Sequence, residues 1–163
     1  MQLSTSYISF RILNNSDAQS LSDLLLNSCS EYIRYFHPFD FQWLSIQKIL
    51  DSAINDKFFG VEIKQDNSEL DKLIGFYMLR GMDEGYTEPM YGVFISQEWQ
   101  GKGIARLTLY HAECFCKINS YKRLLLKVNH NNNLAKKLYE SVGFQFLKEE
   151  IKIDNVVLYK NIY

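Results

Sequence analysis

Proline is scarce in this chain. Only Pro38 and Pro89 occur in 163 residues, and no low-complexity linker or internal repeat divides them. A single domain over residues 1–163 is expected. Cysteine is scarce too: Cys29, Cys114 and Cys116 make an odd count with no repeated spacing. That is not a disulfide framework. No CxxC pair and no Cys/His set with zinc spacing occur, so no metal is expected. Cys114 and Cys116 lie two apart in a helical segment and point to different faces. Buried, reduced thiols are expected. Apolar runs fall short of the roughly 18–20 residues of a membrane helix. Met1-Gln2-Leu3-Ser4 has neither the basic nor the apolar region of a secretion signal. The expectation is therefore no membrane partner and a cytoplasmic location. An excess of one charge is also lacking: 18 Lys and Arg face 19 Asp and Glu, for a formal net charge of −1. A general nucleic-acid binder is not expected.

What is present is a globular balance, 47% hydrophobic and 23% charged residues, enough for a real core. Aromatic residues reach 15% and crowd the first third. Tyr7–Leu13 alternates as a strand. Asn14-Asn15-Ser16-Asp17 can cap a helix over 17–30, with Leu21, Leu24, Leu25 and Cys29 at helical spacing. Residues 32–41 read as an aromatic connection broken by Pro38. Trp43, Ile46, Ile49, Leu50 and Ala53 mark a second helix. Strands follow at 58–63, 73–79 and 90–95, the first two joined by a turn at Gln65-Asp66-Asn67-Ser68. The spacing predicts a helix over 102–118. Ile104, Leu107, His111, Cys114, Phe115 and Ile118 form one apolar face, and Ala105, Leu109, Ala112 and Cys116 another, which predicts packing on two sides. A strand at 124–128 precedes a helix capped by Asn132 or Asn133 and stopped by Gly143-Phe144. Strands 144–153 and 156–162 close the chain around Asp154-Asn155. The order is β-α-α-β-β-β-α-β-α-β-β, an α/β (α+β) fold with a mixed sheet and helices on its faces.

The sharpest chemistry lies in Val93-Phe94-Ile95-Ser96-Gln97-Glu98-Trp99-Gln100-Gly101-Lys102-Gly103-Ile104-Ala105. A strand enters a glycine-bearing turn that opens a helix, which aims backbone N–H groups and the positive helix end at one place. That arrangement binds phosphate. Glycines between strand and helix also occur for the turn alone. No GxxxxGK[ST] string exists. Arg106 stands where the third glycine of a dinucleotide fingerprint belongs.

Gln100-Gly101-Lys102-Gly103-Ile104-Ala105 matches [Q/R]-x-x-G-x-[G/A]. Asn132, Ala135, Tyr139, Gly143 and Phe144 match N-x-x-A-x-x-x-Y-x-x-x-G-F. With a strand between them, these residues resemble the GNAT N-acetyltransferase superfamily, strongly over 88–146 and by topology over the whole chain. The resemblance implies a mainly antiparallel sheet of about seven strands with about four helices. It implies acetyl-CoA as co-substrate and no metal, with residues 1–60 on the acceptor side. Gln100, Gly101, Lys102, Gly103, Ile104 and Ala105 would hold the pyrophosphate. The strand Val93–Ile95, with Phe94 and Ile95 as cofactor-binding residues, would splay from the next strand and offer its free backbone groups to the pantetheine arm. One of its N–H groups would polarise the thioester carbonyl. Asn132 would touch the arm, or only cap its helix, or both.

Tyr139 is the catalytic candidate, a phenol to protonate the leaving sulfur. Helix spacing alone would make it a core tyrosine. Glu88 is the general-base candidate. Asp83 and Glu84 are alternatives that read better as solvated loop carboxylates. Tyr35, Phe36 and His37 are the acceptor-side candidates, or else a hydrophobic lid. His111 reads as packed, and His130 lies near the cleft. Covalent catalysis through Cys114 or Cys116 is disfavoured, because nothing around them lowers a thiol pKa.

The expected partner is a small-molecule amine, with a nucleotide-linked amino sugar as one concrete acceptor. Its motives are the aromatic acceptor region and the lack of a strongly acidic cleft. Protein or peptide acetylation and a non-catalytic acyl-CoA-binding module stand as alternatives. A homodimer through the last two strands is a further partner to test.

Overall fold

The computed structural model describes residues 6–65 and 71–163. Seven strands form one sheet: β1 (Ser6–Ile12), β2 (Lys57–Gln65), β3 (Lys72–Arg80), β4 (Met90–Ile95), β5 (Arg123–Asn129), β6 (Gln145–Glu150) and β7 (Asn155–Asn161). Their spatial order is β1-β2-β3-β4-β5-β7-β6. Every neighbouring pair is antiparallel except β4 with β5. Five α-helices complete the fold: α1 (Ala18–Leu26), α2 (Ser30–Ile33), α3 (Trp43–Ser52), α4 (Ile104–Ile118) and α5 (Asn133–Ser141).

The sheet separates two cores. On one face α1 and α3 bury Leu21, Leu25, Ile46 and Leu50 against Phe58, Phe76, Met78 and Phe94. On the other, α4 and α5 bury Leu109, Ala112, Cys116 and Tyr139 against Tyr77, Leu79, Tyr91, Leu126 and Val128. Alternation along β3 explains the division, since Phe76 and Met78 face one way and Tyr77 and Leu79 the other. Truncating a fully buried leucine such as Leu109 would cost about 2–5 kcal/mol.

The expected Gln65–Ser68 turn, apart from Gln65, lies outside the described residues, as does Met1–Ser4. Elsewhere the structure corrects four expectations. The helix read over 17–30 ends at Leu26, and α2 restarts after Asn27. Ser28 Oγ donates to the Leu24 carbonyl at 2.9 Å, holding the break. The helix read over 102–118 begins at Ile104, because Gly103 is left-handed (φ 80°) and cannot occupy a right-handed turn. That helix packs on one side, not two: Leu107, Cys114 and Ile118 face solvent. Of the three thiols, all unpaired, only Cys116 is buried.

The end of α5 is built as expected. Gly143 is left-handed (φ 93°). Gly143 N–H donates to the Glu140 carbonyl and Phe144 N–H to the Tyr139 carbonyl, both at 3.0 Å. This double bond pattern, with Phe144 packed on the Tyr139 ring at 5.8 Å, is a Schellman stop. It fixes Tyr139 on the buried side of the last helical turns.

Candidate active site

The parallel pair β4–β5 closes only at its start. Met90 pairs with Leu125 and Tyr91 with Leu126, and no further pairing follows. β5 turns wholly to β7 instead, over seven residues. The C-terminal part of β4 therefore borders a gap. Ladder parity shows which backbone groups face it. Ser96 N–H donates to the Ile74 carbonyl at 2.8 Å. In an unbroken antiparallel register, Phe94 and Gly92 then also bond β3. Val93 and Ile95 point their N–H and C=O groups into the gap. Phe94 was expected to offer backbone groups there. Its amide and carbonyl belong to the β3 ladder, and its ring is buried against α1–α3.

Beyond β4, a short 3-10 turn over Gln97–Trp99 leads to the glycine loop. Gln100, Gly101, Lys102 and Gly103 are exposed. Gly101 (φ 77°) and Gly103 (φ 80°) are both left-handed, and a Cβ at either would meet nothing within 4 Å. The glycines serve backbone conformation there and leave an open cradle. Gly103 is the N-cap of α4 and makes no side-chain cap bond. The first N–H groups of α4 are thus left for an anion. Ile104 anchors the turn in a small core with Val61, Ile63, Ile74 and Ile95, against which Ala105 packs. Lys102 lies over the Trp99 ring at 5.7 Å. Asn132 caps α5, its side chain accepting the Ala135 N–H at 3.2 Å.

Tyr139 packs in the same core as Tyr91, under the closed start of the β4–β5 pair. Its hydroxyl has no hydrogen-bond partner among the described residues. Burial pushes its pKa up to about 12. The Tyr91 hydroxyl is bound to Thr108 Oγ1 at 2.7 Å, and Thr108 donates to the Ala105 carbonyl. The two tyrosines differ in kind: Tyr91 is tied down, and Tyr139 keeps its proton unengaged.

Glu88 is elsewhere. It takes both Nε and Nη2 of Arg123, at 2.5 and 2.8 Å. It sits in the bend before β4, outside the strand that carries Val93. Asp83 accepts the N–H groups of Ile54, Asn55 and Asp56. Those bonds, chiefly the one from Asn55, lower its pKa. Glu84 is exposed. None of these three carboxylates hydrogen-bonds Tyr139 among the described residues. His111 is held by the Tyr77 hydroxyl at 2.5 Å and stacked on Phe10. Burial lowers its pKa. His130 pairs its N–H with the Asp154 carbonyl.

On the acceptor side Phe36 packs on Phe76 and Phe94, at 5.7 and 5.6 Å. Tyr35 lies under Arg34 at 4.8 Å. His37 faces solvent and bonds the Arg34 carbonyl at 2.9 Å. A groove of about 750 Å³ runs between α1, β2–β3 and the end of β4. Its lining carries five carboxylates, Asp17, Asp23, Glu62, Asp71 and Glu98, against Arg11 and Lys72. The expected lack of an acidic cleft is corrected to that extent. Most of this charge is internally paired: Arg11 holds Asp17 and Glu62 at 2.6 and 2.7 Å, and Lys72 holds Glu98. Arg11 thereby holds the Asp17 carboxyl below its ordinary pKa.

The sequence points to the strand Val93–Ile95 as a whole; strand parity, which composition does not show, separates Val93 and Ile95 from Phe94. One residue escapes a reading of the sequence. Tyr32 carried no signal beyond its aromatic neighbours, yet its hydroxyl reaches the Ile95 carbonyl at 2.5 Å.

A splayed parallel strand pair and a left-handed glycine loop border one gap, and Val93 on its edge packs against the core that holds Tyr139. The model of the Acetyltransferase (GNAT) family matches residues 22–144. The chain belongs to the GNAT family. A curated relative, the 5-NmdU N-acetyltransferase of Pseudomonas phage PaMx11, is 27% identical over 86 residues. That alignment covers 53% of this GNAT chain and 59% of the phage protein. Among solved structures, a domain from Methanocaldococcus jannaschii DSM 2661 superposes with a TM-score of 0.80 at 20% identity, over 96% of this chain and 99% of that one. Spermidine N-acetyltransferase from Vibrio cholerae, in complex with CoA and spermine, gives a TM-score of 0.75 at 23% identity, over 94% and 95%. At such identities the solved structures speak for the shared GNAT fold.

Proposed function

We propose that this protein moves an acetyl group from acetyl-CoA to a primary amine of a small molecule, by direct attack in a ternary complex. The observation that carries the reading is the gap beside β4, which opens Val93 and Ile95 next to the glycine loop, with Val93 packed against the core that holds Tyr139. The residues fit the co-substrate. The open cradle at Gly101 and Gly103, with the uncapped start of α4, suits a pyrophosphate. The free edge of β4 suits an arm built of amides, as a peptide suits a sheet edge. The phage relative's name and the CoA in the Vibrio neighbour agree with this chemistry.

Acetyl-CoA supplies an acyl group activated as a thioester. Val93 N–H donates to the carbonyl oxygen, where negative charge develops as the amine nitrogen adds. The C–N bond forms and the C–S bond breaks. Tyr139 gives its proton to the departing sulfur. The ammonium proton leaves to water in the gap, since Glu88 is committed to Arg123. Lys102 adds a positive charge beside the loop, and Asn132 stands at the gap's far side as both cap and arm contact. Tyr35 and Phe36 shape the acceptor side, and His37 forms its rim.

The acceptor panel should pair acetyl-CoA with 5-NmdU, spermidine, spermine, nucleotide-linked amino sugars, amino acids and peptides. Product mass spectrometry reads the gain of one acetyl group. A small-molecule product supports the proposal. Acetylation of peptides alone would overturn the acceptor class, and CoA binding without any product would favour a binding module.

A further inference from the structure

The free edge of β4 offers four backbone groups to the gap, an N–H and a C=O from each of Val93 and Ile95. One of the four is already engaged. Tyr32, on the four-residue helix α2, donates its hydroxyl to the Ile95 carbonyl at 2.5 Å. The bond is at the short end for O–H···O. It joins residues 63 positions apart and is half-buried. The Tyr32 ring stands edge-on to Phe94 at 6.0 Å, and Phe36 packs on the same Phe94. The acceptor-side segment is thus fastened to the cofactor strand at one atom that an amide-bearing arm would also seek. A carbonyl oxygen has two lone pairs, but a half-buried one beside a tyrosine ring has limited room for a second donor.

We infer that Tyr32 is a positioning residue that competes with the acyl-CoA arm for the Ile95 carbonyl and, once displaced, turns its hydroxyl to the acceptor side. This rests on the functional reading above. It couples the two halves of the site. While the arm is absent, α2 is latched to β4. When an arm amide N–H takes the carbonyl, the latch opens, and the acceptor side is completed only after acetyl-CoA has bound. Addition is then ordered, acetyl-CoA first.

The test is Tyr32→Phe, with CoA affinity by calorimetry and steady-state kinetics on whichever amine the panel identifies. Removing the competing hydrogen bond should tighten CoA binding roughly two- to tenfold. The KM for the amine should rise while kcat changes by less. A purely structural tyrosine would do the reverse, loosening CoA and amine together. Phe36→Leu, which loosens the same packing without touching the bond, should not tighten CoA. CoA affinity unchanged or weakened in a Tyr32→Phe protein of normal thermal stability overturns the latch. Should that variant fold poorly, 3-fluorotyrosine placed at position 32 keeps the hydroxyl. Its 19F signal should move when CoA is added, and a signal that stays put overturns the latch equally. A wild-type protein that binds no CoA overturns the functional reading itself, which separates the two failures.

Discussion

The two sides of β4 are built on different principles. On the α4–α5 side the candidate site is made of backbone: a splayed strand, two left-handed glycines and a helix N-terminus. On the α1–α3 side it is made of rings, Phe36, Phe76 and Phe94, that also serve as core. Backbone machinery constrains sequence tightly, because only glycine accepts the left-handed loop at no steric cost. Aromatic machinery does not, because a ring that lines a pocket and a ring that fills a core look alike in a sequence. A chain can therefore disclose its donor chemistry while concealing its acceptor.

The largest expected break in this comparison is Tyr139→Phe. It should lower kcat by roughly 10²–10³-fold, within the usual range for a lost proton donor. CoA affinity should hold, because the ring still fills its core position beside Phe144. Calorimetry and kcat measured on the same preparation separate the two. The pH profile sharpens the assignment. Burial raises the Tyr139 pKa to about 12, so the proton is present through the neutral range and is lost only at strongly alkaline pH. The kcat profile should show no descending limb below about pH 10. A limb near pH 8 that disappears in Tyr139→Phe would contradict the account.

Gly103→Ala comes next. The new Cβ meets no atom, so the penalty is conformational, on the order of 1–3 kcal/mol for a left-handed non-glycine residue. The loop should misdirect its N–H groups, raising the KM for acetyl-CoA about tenfold or more, with a melting temperature lower by about 2–10 °C. Glu88→Gln should have the smallest effect. Its partly exposed pair with Arg123 contributes about 0.2–1 kcal/mol to stability. Melting temperature should fall slightly, and kcat/KM should stay within roughly twofold. A loss of rate confined to the protonation step in Glu88→Gln would return that residue to the site.

Legibility followed the same division. The order of elements apart from α2, the cap at Asn132, the stop at Gly143 and the glycine loop can be read, the last three because each depends on a residue with a distinctive backbone requirement. The start of α4 was misplaced by two residues because a helical pattern does not reveal that Gly103 is left-handed. The stripe through Leu107 and Ile118 does not pack along its length: both are apolar yet exposed, and apolar residues are common on surfaces. α2 is one turn long, too short for a 3.6-residue period to register. Phe94 and Val93 are both apolar strand residues, and only the bond from Ser96 to Ile74 shows which one faces the gap. Tyr32 could not be singled out, since its partner is a backbone atom far along the chain.

The central claim is that backbone groups on one side of β4 receive the acyl-CoA arm. Amide NMR of the protein with and without CoA tests it most directly. The account predicts that the largest shifts fall on Val93, Ile95 and the loop from Gly101 to Ala105, with Glu88 and Arg123 unmoved. Shifts centred instead on the Arg11–Asp17–Glu62 groove, with the β4 edge silent, would contradict it.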